Sequence, residues 1–294
     1  MVILVNDVLP VLYCIYIPPL TIMYILEVIL VLRERKVFKS SFYTIFLIGA
    51  FNDIFLQITN TYYRVEMTPY LSWLLAEPGI GYFLQVCFTG TFHFGVSQQI
   101  VNIFIAVNRM TSIVFFQQHE KIWKYMMPMV ALATYFIPFS FSYMILLSPT
   151  TFMPTPFLGK LFYLIEVDPT TYPQFSRFTL ILVTSISTPL VCGCIYAVTA
   201  VFLRKHSKAI SSIERRFFYV GVLLVIFTAY YRTLEVVVYC VVQIPWLVDI
   251  KIYGPPLLLY FMSSDMRNGL HLMLGIQKST KRASASIDTN TLTV

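Results

Sequence analysis

Residues 9–39 read LPVLYCIYIPPLTIMYILEVILVLRERKVFK, an apolar run over 9–32 closed by a basic cluster over 33–39. A helix crossing the hydrocarbon core of a bilayer takes about 20 predominantly apolar residues. The run meets that length, and the Arg and Lys behind it mark the side of the membrane that retains positive charge. Its only charged group is Glu27, which is expected either to snorkel or to pair near the basic end. The start, MVILVNDVLPVLYC, has neither a basic n-region nor a small-residue cleavage site. The run is therefore expected to be a retained anchor.

The pattern recurs along the chain. Further apolar runs occupy 42–60, 80–107, 125–147, 178–203, 217–240 and 245–264, giving seven expected spans and no room for a separate soluble domain. Composition agrees. The 294 residues are 57% hydrophobic and 12% charged, against about 25% charged in a soluble domain, and the mean hydropathy is +0.73. Residues 1–277 are expected to form one all-α, seven-transmembrane helix bundle.

The loops orient it. Arg33, Arg35, Lys36 and Lys39 follow run one, and Arg109, Lys121 and Lys124 lie between runs three and four. RKHSKAISSIERR (204–216) follows run five, and Arg267, Lys278, Lys281 and Arg282 follow run seven. The opposite loops hold only Arg64, Lys160, Arg177 and Lys251. Positive charge kept inside puts the N-terminus outside and the C-terminus in the cytoplasm, which an odd number of spans satisfies. The same asymmetry explains the net charge of +7 without nucleic acid.

Beyond run seven, SSDMRNGLHLMLGIQ (263–277) has one rather apolar side, with Ser264 and Asp265 placed to cap a new helix. A short helix in the headgroup plane is expected, touching membrane lipid; a frayed tail is the alternative. Residues 278–294 are polar and small, and are expected to be a disordered cytoplasmic tail with Ser and Thr open to phosphorylation.

Polar groups in apolar runs need a partner, an aqueous cavity or a purpose. Run three carries Gln85, His93, Gln98, Gln99 and Asn102, and run two carries Asn52 and Asp53 in GAFNDIFLQ. The latter pair either fixes packing or forms a polar switch or ion site. Arg232 and Glu235, three apart in run six, share a helix face. They either satisfy each other or line a ligand cavity. Asp249 and Lys251 are expected near the outer end of run seven, reaching water. Arg109 falls where run three meets the cytoplasm, and Trp123 and Tyr125 read as interfacial aromatics. Pro18, Pro19, Pro138, Pro189, Pro255 and Pro256 interrupt helices and can kink them. The five Cys and four His have no metal-ligand spacing, so no metal, cofactor or catalytic centre is expected.

Seven spans with this orientation resemble a G-protein-coupled receptor. Asn108-Arg109-Met110-Thr111-Ser112, followed by His119-Glu120-Lys121-Ile122-Trp123, resembles nematode serpentine chemoreceptors of the gamma superfamily, class V or class gamma. Pro255-Pro256-Leu257-Leu258-Leu259-Tyr260, with Ser264 and Arg267 beyond, is similar to that group's last span. The resemblance implies that Arg109 holds the resting state and contacts the G protein. It also implies that Asp53 matches the span-two acid that binds sodium in many such receptors, and that Pro256 and Tyr260 belong to the span-seven switch. There are departures. Asn108 replaces the usual acid beside Arg109, and one extra residue separates Pro256 from Tyr260. Run six lacks a central Pro, and the span-one Asn of a sodium site is absent. Residues 148–177 contain no Cys to bond Cys87, so that loop is left to its prolines and packing.

The implied function is a chemosensory receptor at the plasma membrane, on a sensory cilium by family likeness. A small-molecule cue would bind from outside among Gln85, His93, Gln98, Arg232, Glu235 and Asp249, and a heterotrimeric G protein would be activated inside. A transporter or ion channel is the alternative. The absence of an internal repeat and the odd number of spans weigh against it.

Overall fold

The computed structural model describes residues 2–66, 80–148, 150–157, 160–167, 177–205 and 245–276, with 218, 219, 221–223, 226 and 229 from the sixth run. Helix dominates. The elements are α1 (Val2–Arg33), α2 (Ser41–Glu66), α3 (Ile80–Val114), α4 (His119–Leu147), strands β1 (Thr150–Phe157) and β2 (Lys160–Val167), α5 (Arg177–Lys205), α6 (Pro245–Met262) and α7 (Ser264–Met273). Ile15–Arg33, Ser41–Thr61, His119–Leu147 and Ile186–Lys205 are each long and apolar enough to cross a membrane. The chain is thus a multi-pass membrane protein.

The side chains are sorted for lipid. In α4 the buried residues Trp123, Val130, Thr134, Pro138, Ser142 and Ile145 recur every three, four or seven positions, which is one helical stripe. Met129, Leu132, Phe136, Phe139 and Leu147 stand exposed around it. Meanwhile Glu27, Asn52, Asp53, Gln98, Gln99 and Asn108 are buried. Large apolar groups outside and polar groups inside is the arrangement hydrocarbon requires, because lipid offers no hydrogen bonds.

Helix α3 is the hub, packing against α2, α4 and α5, while α1 packs against α2, α6 and α7. Its 35 residues span about 50 Å at 1.5 Å per residue, more than the ~30 Å hydrocarbon layer. Arg109 therefore lies inside the helix, which continues to Val114. Helix α4 likewise begins at His119, earlier than the expected run at 125.

Two local expectations are corrected. The loop left to prolines and packing contains an antiparallel hairpin, with Thr150 opposite Val167 and Phe157 opposite Lys160. The residues between β1 and β2 are few enough for a tight hairpin connection. The cap of α7 is Ser263, whose hydroxyl accepts from the Met266 amide 3.2 Å away, and Asp265 sits in the first turn instead. Ser263 has extended φ/ψ, so its oxygen can face the free amides of the first turn.

At its other end α7 closes on Gly275, with φ +69°. The Ile276 amide returns to the His271 carbonyl at 2.9 Å and the Gly275 amide to Leu272 at 3.2 Å. This pair of bonds needs a left-handed residue, which glycine supplies without a Cβ clash. Gly269 lets α7 lie directly on α1, since a Cβ there would come 2.6 Å from Leu30 Cδ2. The expected short helix is present, docked on α1 and α6. Residues 277–294 lie outside the described residues.

Candidate functional site

The polar residues of run three face neighbouring helices. The Gln85 amide donates to the carbonyls of Ile145, Leu146 and Ser148, at 3.4 Å and 2.6 Å for the first two, and so closes the C-terminal end of α4. His93 Nδ1 meets the Ser142 hydroxyl at 3.0 Å. Gln98 donates to Asp53 on α2 at 2.5 Å, and Gln99 Oε1 accepts from Thr188 on α5 at 2.8 Å. A single helix thus carries polar ties to three others along its length. Each such bond is worth about 0.6 kcal/mol in a membrane, so together they fix register rather than dominate stability.

Asp53 has both oxygens engaged. Tyr24 of α1 donates to Oδ2 at 2.8 Å, and Gln98 of α3 donates to Oδ1. Further along, the Thr21 hydroxyl meets the Tyr253 hydroxyl at 2.6 Å, and Tyr16 donates to Asp249 at 2.5 Å. Asp249 is only 3% exposed. It is held inside the α1–α6 contact and does not reach water as expected, because a carboxylate in this environment is stabilised by a hydroxyl donor.

Glu27 is wholly buried, and neither carboxyl oxygen has a hydrogen-bond partner among the described residues. It neither snorkels nor pairs there. Asn52, also wholly buried, has an equally unpartnered amide. A buried polar group without a partner costs about 1–3 kcal/mol. Glu27→Leu, which keeps the volume and removes the polar atoms, is therefore expected to stabilise the protein by about 1–3 kcal/mol. Thermal unfolding in detergent reads this as a higher midpoint. A lower midpoint would show that the carboxyl is satisfied in the folded protein.

A second polar cluster lies at the end where α2 and α4 begin. Asn108 donates to the Ser41 hydroxyl at 2.8 Å, and Ser41 Oγ meets His119 Nε2 at 3.1 Å. His119 Nδ1 meets the Thr111 hydroxyl at 3.1 Å, and the Trp123 indole donates to that same oxygen at 2.8 Å. Thr111 spends its proton on the Val107 and Asn108 carbonyls. The Ser41 hydroxyl also donates to Glu120 Oε1 at 3.4 Å. Glu120 accepts from the Ser41 amide at 3.4 Å, placing negative charge at the positive end of the α2 dipole. Trp123 is 0% exposed. It is a core residue of the α2–α3–α4 junction, not an interfacial aromatic, because its indole finds an acceptor inside the protein.

Arg109 borders this cluster. Its Cζ lies 3.9 Å from the centroid of the Phe42 ring. At the same end Pro256 is buried in α6, and the Tyr260 hydroxyl meets His271 Nε2 of α7 at 2.9 Å. Arg232 and Glu235 lie outside the described residues, as does the side chain of Lys251. No group of three metal-ligating side chains occurs among the described residues, and Cys87, Cys192 and Cys194 form no disulfide.

Ser41, Phe42, Thr111 and His119 were assigned no role from the sequence. Their signal was the spacing of Asn108–Thr111 and His119–Trp123, three and four apart and so on one face of their helices. What spacing could not supply was the partner helix.

The comparisons cover most of the chain. The family described as Srg family chemoreceptor matches residues 11–270. Serpentine receptor class gamma-11 of Caenorhabditis elegans is 24% identical over 262 residues, covering 83% of this chain and 75% of the relative. Serpentine receptor class gamma-14 of the same organism is 25% identical over 60% of this chain and 55% of its own length. Serpentine receptor class gamma-16, also from that organism, is 26% identical over 49% and 46%.

Proposed function

The chain belongs to the Srg family of chemoreceptors, and from that premise we propose that it is a class gamma serpentine receptor coupling a small-molecule cue to a heterotrimeric G protein. The family is one of chemoreceptors, which supports a membrane-receptor role over catalysis. All three relatives named above carry the class gamma designation, which supports class gamma over class V.

The observation that carries the reading is the polar spine of α3. Side-chain bonds run from Gln85 through His93, Gln98 and Gln99 to Asn108, tying α4, α2 and α5 to one rod. A shift of α3 at one end must break or remake ties at the other, because packed interfaces move between discrete arrangements. In this reading the chain crosses the membrane seven times with the N-terminus outside, as the distribution of Arg and Lys demands. The cue binds near the Gln85 end, with His93, Gln98, Arg232 and Glu235 as its polar contacts. The G protein docks at the Arg109 end, beside Tyr260 and Pro256. Asp53 is the joint between the two halves, binding α1 and α3 to α2. The cue acts only through its differential affinity for the two arrangements. The plasma membrane, at a sensory cilium, is the site of action.

The test is guanine-nucleotide exchange on purified G proteins by membranes carrying the full chain, with and without a fractionated extract of small-molecule cues. Extract-dependent exchange is expected. If verified surface protein gives no exchange with any G-protein class or fraction, and instead passes ions or solutes in reconstituted vesicles, the receptor reading is wrong.

A further inference from the structure

Resting on that reading, we infer that Phe42 is a positioning residue for Arg109, holding its guanidinium against the ring face so that the G-protein surface stays unengaged until α2 and α3 separate. The residue beside the arginine is an amide, Asn108, and brings no negative charge to hold it. The structure places a different partner there. Arg109 Cζ stands 3.9 Å from the Phe42 ring centroid, well inside the ~6 Å range of a cation–π contact. Arg109 also lies within electrostatic reach of Tyr43 on α2 and Tyr196 on α5.

The ring is braced to do this. Phe42 stands edge-on to Tyr43 with centroids 5.3 Å apart, and Tyr43 stands edge-on to Phe38 at 4.7 Å. Phe42 also packs on the α1–α2–α6–α7 core. The backbone register is fixed one residue away, where Asn108 donates to Ser41. Two consecutive pairs, Asn108 with Ser41 and Arg109 with Phe42, thus clamp the same turn of α3 to the first turn of α2. Asn108 cannot be moved by charge, whereas the guanidinium can be drawn off the ring by an anionic or carbonyl-lined partner surface. A cation–π contact is worth little enough to be exchanged for such a partner and enough to bias a two-state equilibrium.

The experiment compares wild type, Phe42→Leu and Phe42→Tyr in the full chain, each normalised to surface protein. Removing the ring face is expected to raise cue-independent nucleotide exchange by roughly fivefold to thirtyfold, the factor a contact of this class is worth. Phe42→Tyr keeps a ring and is expected to stay at the wild-type level. Equal basal exchange in all three, or the same rise with tyrosine as with leucine, overturns the proposal, and the Arg109 resonance separates contact with the guanidinium from packing alone.

A second readout needs no G protein. With 13Cζ-labelled arginine, the Arg109 resonance, identified by its loss in Arg109→Lys, is expected to carry a ring-current shift that Phe42→Leu removes. An unchanged resonance overturns the contact itself. A wild type that retains the ring-current shift yet drives no G protein overturns the receptor reading, and with it the coupling role of Phe42. An exchange-competent wild type indifferent to Phe42→Leu overturns the role of Phe42 alone.

Discussion

Replacing Arg109 with alanine is expected to abolish cue-driven nucleotide exchange while leaving folded protein at the cell surface. Arg109 is only partly buried and sits beside the junction of α2, α3 and α4. The polar bonds of that junction run through Asn108, Ser41, His119, Thr111 and Trp123, none of which uses the Arg109 side chain. Removing the guanidinium leaves those bonds in place, and thermal unfolding beside surface yield checks that the fold is kept. The substitution removes the one cation at this end of α3 that can donate in a planar fork to backbone carbonyls or carboxylates of a docking protein. An arginine at the centre of an interface typically costs 2 kcal/mol or more on truncation, so exchange should fall by about thirtyfold or more. Pairing the change with Phe42→Leu gives a sharper result. If the ring acts through the arginine, Arg109→Ala combined with Phe42→Leu should behave as Arg109→Ala alone, with no raised basal activity. Exchange that survives in well-expressed Arg109→Ala protein would leave a receptor whose coupling surface lies elsewhere.

Trp123→Ala is expected to have the largest effect on stability of any single change at this junction, about 3–5 kcal/mol from the cavity alone. Trp123 is wholly enclosed with Ile45, Val101 and Val130, against Met126, Met127 and Phe104. Filling by rearrangement is opposed because the three helices are already tied by the Ser41, Thr111 and His119 bonds. Trp123→Phe separates cavity from hydrogen bond. Thr111 would keep its backbone acceptors and its contact with His119, so the loss should be near 1 kcal/mol. The difference is measurable by thermal unfolding in detergent and as surface yield. Equal small losses in both variants would mean that the indole is not enclosed.

The two changes probe opposite sides of one design. Trp123 and His119 hold the α2–α3–α4 end rigid, while Arg109 and Phe42 place a charged group on that rigid frame where a partner can compete for it. Glu27 and Asn52 sit within the bundle with no satisfied polar contact among the described residues. They make the α1–α2 region the part whose packing is most easily improved by removing polar atoms.

Much of the candidate site was named by the sequence and placed by the structure. Gln85, His93 and Gln98 were singled out because polar groups are costly in apolar runs, and each proved to bond a neighbouring helix. The cost rule identifies such residues but not their partners. Asp249 was expected at a wet mouth, and Trp123 at the lipid interface. Both are buried, because Tyr16 and Thr111 come from other segments of the chain to receive them. Hairpin β1–β2 also escaped notice, as five apolar residues in a row, two prolines and scattered threonines lack the strict alternation that marks a strand with one wet face.

The sequence by itself determined that this is a helical membrane protein of the serpentine chemoreceptor kind. Hydrocarbon demands long apolar helices, and the positive loops and the Asn-Arg to Ile-Trp stretch are local features that one chain displays without folding. Only the tertiary structure decided which polar groups meet. Asp53 joins Tyr24 and Gln98 across three helices, and Arg109 finds the face of Phe42, from residues 29 to 67 positions apart. Helical periodicity gives each residue a direction around its own axis. The rotation of one helix against the next is set by packing all of them at once, and that information is carried by no single segment.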